Sequence, residues 1–118
     1  MTEWKASFPM IDSKDNTEKL LSSLGLCVKA GKTVCGVPMI CEAMRKGGKH
    51  APVLVFEASD TSDNTHKRLT DKCSYYNVRL VRIACGTDAL AAALGKSASL
   101  GAVAITDLGM CRLVEKYI

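Results

Sequence analysis

One sheet with helices packed on both faces is the fold class this sequence predicts. Three observations carry it. Two short runs, PVLVF (52–56) and GAVAIT (101–106), are continuously apolar, as in strands covered on both faces. Apolar residues elsewhere recur at helical spacing, as in Leu20, Leu21, Leu24, Cys27 and Val28. Gly, Pro and Asn punctuate the two kinds of segment, and the resulting order is α-β-α-β-α-β-α-β-α.

In chain order, residues 1–15 read as a loose, flexible arm, with Pro9, mixed charge and no sustained period. Asp15 followed by Glu18 reads as a capping box that opens the first helix, and Gly31 is its C-cap. Lys32 to Cys35 is a short strand. Gly36-Val37-Pro38 turns the chain, and Pro38 suits the first turn of a second helix. Ile40, Ala43 and Met44 form its apolar stripe, and Gly47-Gly48 ends it. PVLVF is the next strand, and 57–63 is an acidic, polar loop. Thr65 to Tyr76 is a helix with Leu69, Cys73 and Tyr76 on one face, ended by Asn77. Val78 to Ala84 is a strand with Arg79 and Arg82 near its edges. Gly86-Thr87 opens a helix that Gly95 stops. GAVAIT is the last strand, and Asp107 caps a final helix carrying Leu108, Met110, Cys111 and Val114.

At 118 residues the chain is one domain's length, and residues 16–118 are read as a single unit after the arm. The N-terminus carries scattered charge and no apolar run, so no secretory signal is expected. No stretch approaches the roughly 20 apolar residues of a membrane span. A soluble, cytoplasmic protein is the expectation, with no membrane partner. The six cysteines form no C-x-x-C pair and stand mostly among apolar residues. They read as buried, reduced thiols rather than as a disulfide framework or a metal site. Only six residues are aromatic, which leaves a base-stacking platform little to work with.

Charge is more informative by position than by total. Between Lys29 and Lys49, five basic residues (Lys29, Lys32, Arg45, Lys46, Lys49) face Glu42 alone. That window carries the whole chain's net charge of +4. A concentrated basic segment is the footprint of a polyanion binder, and its bland alternative is a solvated helix face.

Gly31-Lys32-Thr33 imitates the end of a phosphate-binding loop, but the imitation fails twice. G-x-x-x-x-G-K-[ST] needs glycine where Leu26 stands; Gly25 is one residue too far. The context is also inverted, because a helix precedes the motif and a strand follows. Lys32 then stands near a helix C-terminus, where the dipole disfavours phosphate. Other enzyme signatures are missing: neither G-x-S-x-G nor G-x-G-x-x-G occurs. His50 and His66 stand in polar surroundings and read as solvent-exposed. Asp60, Asp63 and Asp71 read as loop or helix-start acids, with Asp63 placed to cap. No catalytic residue, metal ligand or cofactor is assigned.

The favoured site is the turn Cys35-Gly36-Val37-Pro38-Met39. A helix start offers free N–H donors and positive partial charge, and Gly36 lets a ligand backbone come close. With the flanking lysines and arginine, this suits RNA or phosphate. The bland reading is a Gly-x-Pro turn that only starts a helix.

Four segments carry a family resemblance: LLSSLGLCVKAGKTVCG, RKGGKHAPVLVFEAS, NTHKRLTDKCSYYNV and LGKSASLGAVAITDLGMCRLV. Over about residues 18–115 the sequence resembles the L-seven-Ae / L-thirty-e ribosomal-protein family, in its bacterial YlxQ-type branch. The run from Asn64 to Val78 is its most specific part. The resemblance implies a three-layer α/β/α sandwich around a four-stranded mixed sheet. It also implies non-catalytic binding of structured, kink-turn-like RNA of the ribosome or another ribonucleoprotein.

The family's contact motif opens the second helix as Gly-x-Asn-Glu-x-x-Lys. Gly36 matches its glycine, while Pro38, Met39 and Glu42 replace Asn, Glu and Lys. A second family contact, an apolar loop before the last strand, resembles Ala98-Ser99-Leu100. The expected RNA-binding residues are therefore Lys29, Lys32, Gly36, Val37, Pro38, Met39, Arg45, Lys46 and Leu100. Ribosomal or RNA-processing proteins are expected further partners, and the chain is expected to be a monomer. The alternative, motivated by Pro38, Met39 and Glu42, is a protein–protein module with the same fold that has lost kink-turn recognition.

Overall fold

The computed structural model describes residues 10, 11 and 14–118. Its elements are β1 (Met10–Ile11), α1 (Lys14–Lys29), β2 (Thr33–Cys35), α2 (Val37–Lys46), a 3-10 turn (Gly48–His50), β3 (Leu54–Glu57), α3 (Asp63–Tyr76), β4 (Arg79–Ile83), α4 (Thr87–Ala93), β5 (Ala102–Ile105) and α5 (Leu108–Glu115). The four expected strands, β2 to β5, form one mixed sheet in the order β4-β3-β5-β2, and β1 adds to the β4 edge. β3 and β4 are parallel, and β5 runs antiparallel to both β3 and β2.

Two expectations for the N-terminal segment change. Met10 and Ile11 do not belong to a loose arm, since they pair in parallel with Arg82 and Ile83 of β4. The rest of the expected arm, residues 1–9 and 12–13, lies outside the described residues. The Asp15–Glu18 capping box also fails, because α1 already runs through Lys14 and Asp15.

Every residue of β3 and β5 is buried, which explains their unbroken apolar sequence. Alternation along the strands sorts the core into two layers. Leu54, Phe56, Val103 and Ile105 face Leu20, Leu24, Leu90 and Val114, from α1, α4 and α5. Val55, Leu80, Ala102 and Ala104 face Ile40, Met44, Leu69 and Cys73, from α2 and α3. α3 ends as expected at Asn77, the one described non-glycine residue with a left-handed backbone (φ 60°).

Strand direction fixes the ends of the molecule. Gly36 N–H donates to the Ala102 carbonyl and Ala58 N–H to the Gly101 carbonyl, at one end of the sheet. Val53 N–H donates to Ile105 and Thr106 N–H to Lys32, at the other. β2, β3 and β4 all run toward the first end, so α2, α3 and α4 all start there.

Glu57 departs from the sequence reading. It closes β3 on the face of Val55 and is fully buried rather than part of a polar loop. Its carboxylate accepts a hydrogen bond from the Thr61 hydroxyl. His66 Nδ1 lies 2.8 and 3.0 Å from its two oxygens. His66 is therefore half-buried and engaged, not simply exposed. This cluster ties the β3–α3 loop to α3. Ser62, not Asp63, caps α3: its hydroxyl accepts from Thr65 N–H at 3.2 Å, and Asp63 falls in the first turn. Asp60 reaches across to accept from Thr87 N–H at 2.8 Å, capping α4. Gly86 makes room for it, since a Cβ there would stand 3.1 Å from Asp60 Oδ2.

All six cysteines are free thiols, and only Cys35 escapes full burial. Burial pushes the Cys73 thiol up to about 12 and raises Cys27, Cys85 and Cys111. A thiol titration of the native protein is therefore expected to show Cys35 reacting first, with the others following only in denaturant; uniform fast reaction would contradict this packing. Glu57→Ala removes the buried acceptor that Thr61 and His66 Nδ1 share, and should cost about 2 kcal/mol in urea denaturation. An unchanged midpoint would show that the cluster contributes nothing.

Candidate functional site

The starts of α2, α3 and α4 converge on a cavity of about 340 Å³. Gly36, Val37 and Pro38 line it from the start of α2, Asp60, Thr61, Ser62 and Thr65 from the β3–α3 loop and the start of α3, and Thr87 from the start of α4. Ser99, Leu100 and Gly101 close it from the loop before β5. Gly36 holds φ 94° and ψ 139°. A Cβ there would meet nothing within 4 Å, so backbone conformation rather than crowding calls for glycine.

The three helix starts differ in one respect. Ser62 caps α3 and Asp60 caps α4, but no side chain caps α2. The first backbone bond of α2 runs from Ile40 N–H to the Gly36 carbonyl at 2.9 Å. Val37 and Met39 N–H are left without a side-chain cap, and Pro38 has no N–H to offer. Each helix start adds about half a positive charge. Around these donors stand acceptors rather than cations: Asp60, the Thr61 and Ser62 hydroxyls, and Ser99, whose hydroxyl donates to Asp88 at 2.5 Å. Such a surface can hold an anion at α2 and hydrogen-bond amino, imino and hydroxyl groups around it.

Among the residues expected from sequence, Gly36, Val37, Pro38 and Leu100 share this cavity. Leu100 is only 8% exposed and joins the core, with its N–H donating to the Thr87 carbonyl at 3.2 Å. It buttresses the cavity wall more than it projects from it. Met39 turns elsewhere. It is 60% exposed and lines a separate groove of about 430 Å³ with Val28, Val34, Cys35 and Lys96, beside β2, the last strand of the sheet.

Lys29, Lys32, Arg45 and Lys46 do not surround the cavity. The chain climbs from Lys32 to Gly36 along β2, about 13 Å at 3.3 Å per residue. It then descends about as far along α2 to Arg45, at 1.5 Å per residue. The basic window is thus folded in two, with Gly36 at its tip and its cations at the far end. Arg45 is further engaged by Glu42: Arg45 Nε donates to Glu42 Oε1 at 3.0 Å, and a second bond joins Nη2 to Oε2. This hydrogen bonding holds the Glu42 carboxyl below the usual carboxylate range and raises the Arg45 guanidinium. Both groups are solvent-exposed, so the pair adds little to stability.

The sequence reading missed Thr61, Ser62, Thr65 and Thr87 as wall residues, and took only Leu100 from the 98–100 loop. The Asp60-Thr61-Ser62 run before a helix signals capping. Its convergence with Thr87 depends on strand register, which no local pattern contains.

Residues 18–114 match the model of the Ribosomal protein L7Ae/L30e/S12e/Gadd45 family. Over 86 residues the chain is 36% identical to the RNA-binding protein YlxQ of Bacillus subtilis (strain 168), covering 73% of this chain and 81% of that one. Over 66 residues it is 35% identical to the RNA-binding protein YlxQ of Enterococcus faecium, covering 56% of this chain and 61% of that protein, less than two thirds of its length. Its fold resembles that of a Bacillus halodurans C protein of unknown function (TM-score 0.72, 29% identity, 84% of this chain and 95% of that one). It also resembles the Giardia lamblia 15.5kD RNA binding protein (TM-score 0.68, 18% identity, 92% and 94% coverage), a likeness of fold alone. From the extent of the family match, the YlxQ relatives and the α/β/α architecture, this chain belongs to the Ribosomal protein L7Ae/L30e/S12e/Gadd45 family, as a bacterial YlxQ-type member.

Proposed function

We propose that residues 16–118 bind structured RNA of the kink-turn class, without catalysis, through the cavity at the start of α2. The observation that carries this reading is the uncapped helix start behind Gly36, facing a cavity walled by hydroxyls and Asp60. Relatives described as RNA-binding proteins support it. Val37 and Met39 N–H take a phosphate or base carbonyl. Asp60 and the hydroxyls accept from base edges and from the ribose 2′-OH, the groups that distinguish RNA and splayed bases. Ribosomal RNA, or the RNA of another cytoplasmic ribonucleoprotein, is the proposed target.

Pro38 and Met39 remove the polar side chains that the family pattern places here, so recognition rests on backbone donors and shape. Glu42 replaces a lysine one turn into α2, and Arg45 holds it in place. Reversing that charge gives a gain-of-function test. Glu42→Lys frees Arg45 and adds a cation near the cavity. It should tighten binding of a kink-turn RNA by about threefold to tenfold and steepen its salt dependence. Gly36→Val should weaken binding about tenfold or more, because its backbone disfavours a β-branched residue. The reading fails if the native protein binds no structured RNA at low salt, or if Glu42→Lys leaves affinity unchanged.

A second reading, a protein–protein module, is favoured by the Met39 groove beside β2. An extended segment could add there as a further strand. A partner that remains bound after nuclease and high salt, and is lost in Met39→Asp, would favour this reading; loss of the partner under nuclease would count against it.

A further inference from the structure

A second surface lies at the other end of the molecule. Tyr75 is 81% exposed, the highest of the four large apolar side chains left in solvent among the described residues. Its ring meets that of Tyr76 edge-to-face, with centroids 4.8 Å apart and planes at 81°. Tyr76 in turn packs against the α2–α3 core layer. Tyr75 is therefore held by an anchored neighbour, and an edge-to-face contact leaves at least one of its faces open. With Asp71, Lys72 and Tyr76 it lines an open groove of about 550 Å³.

The cations at this end of the molecule exceed what helix capping requires. α1, α2 and α3 end at this end of the molecule and α5 starts there, so these helix termini together contribute about −1 charge. Asp107 adds one carboxylate. Against these stand Lys46 and Lys49 at the end of α2 and Arg79 after α3, while Lys29 and Lys32 stand at the end of α1 on the other face of the sheet; none of the five is ion-paired among the described residues. The acid in the groove, Asp71, is engaged by Lys67 at 2.9 Å. On the neighbouring helix, Arg45 lies within electrostatic reach of Tyr76.

We propose that this face binds a single-stranded RNA segment, with one base stacked on Tyr75 and the adjoining phosphates on Lys72 and Lys46. An open aromatic face flanked by unpaired cations is the arrangement that sequence-tolerant strand binding uses. A protein partner would need contiguous apolar area, and apart from the two tyrosines the groove is lined by charged side chains. The surface is remote from Gly36, so it engages RNA independently of the cavity.

The test uses a short fluorescein-labelled oligouridine, read by anisotropy at low salt with the full chain. Tyr75→Ala should weaken binding about tenfold. Tyr75→Phe should retain it, since stacking needs the ring and not the hydroxyl. Lys46→Glu with Lys72→Glu should abolish it, and Gly36→Val should leave it unchanged. Ultraviolet crosslinking followed by mass spectrometry should mark Tyr75. If Tyr75→Ala binds as tightly as the native chain, the proposal is overturned. Folded RNA binding without oligouridine binding would overturn it too, while leaving the cavity reading intact. Loss of oligouridine in Gly36→Val but not in Tyr75→Ala would place the strand in the cavity and likewise overturn the proposal.

Discussion

The shared direction of β2, β3 and β4 decides at which end of the sheet α2, α3 and α4 start. Each strand delivers the chain to the same end of the sheet, and each is followed there by a helix start. Backbone donors therefore collect at one end, and the carbonyl ends of α1, α2 and α3 at the other. Side-chain charge follows this polarity. Asp63 and Asp88 lie in the first turns of α3 and α4, whereas Lys29, Arg45 and Lys46 lie in last turns. Each such placement complements the dipole of its helix. The same polarity divides the surface into an acceptor-rich cavity and a cation-rich opposite face.

Fully buried central strands hold this arrangement in register. Shifting β5 by one residue would exchange Val103 and Ile105 for Ala102 and Ala104, reversing both core layers. The alanines face α2 and α3, and the larger residues face α1, α4 and α5. Against this apolar background Glu57 is the exception. Its desolvation is offset by Thr61 and His66, and the bonds it makes order the loop that supplies the cavity wall.

Much of the fold was legible because its signals are local. PVLVF and GAVAIT read as strands covered on both faces, and Asn77 and Asp107 ended and began helices where expected. β1 was not legible: its two residues carry no pattern, and only pairing with Arg82 and Ile83 makes them a strand. Glu57 was misread for a related reason, since whether a strand-end acid is buried depends on what packs over it. The basic window shows the limit most clearly. Its residues are neighbours in sequence, yet a strand running out and a helix running back separate Gly36 from Lys32 and Arg45. The turn at Gly36 was readable as a helix start, but the composition of its surroundings was not.

Amide chemical-shift mapping of the isotope-labelled chain, titrated with a kink-turn RNA, tests the central claim most directly. Binding at the uncapped α2 start predicts the largest shifts at Val37, Met39, Thr61, Thr87 and Leu100. Shifts confined to residues outside the cavity wall, with those five amides unmoved, would contradict it.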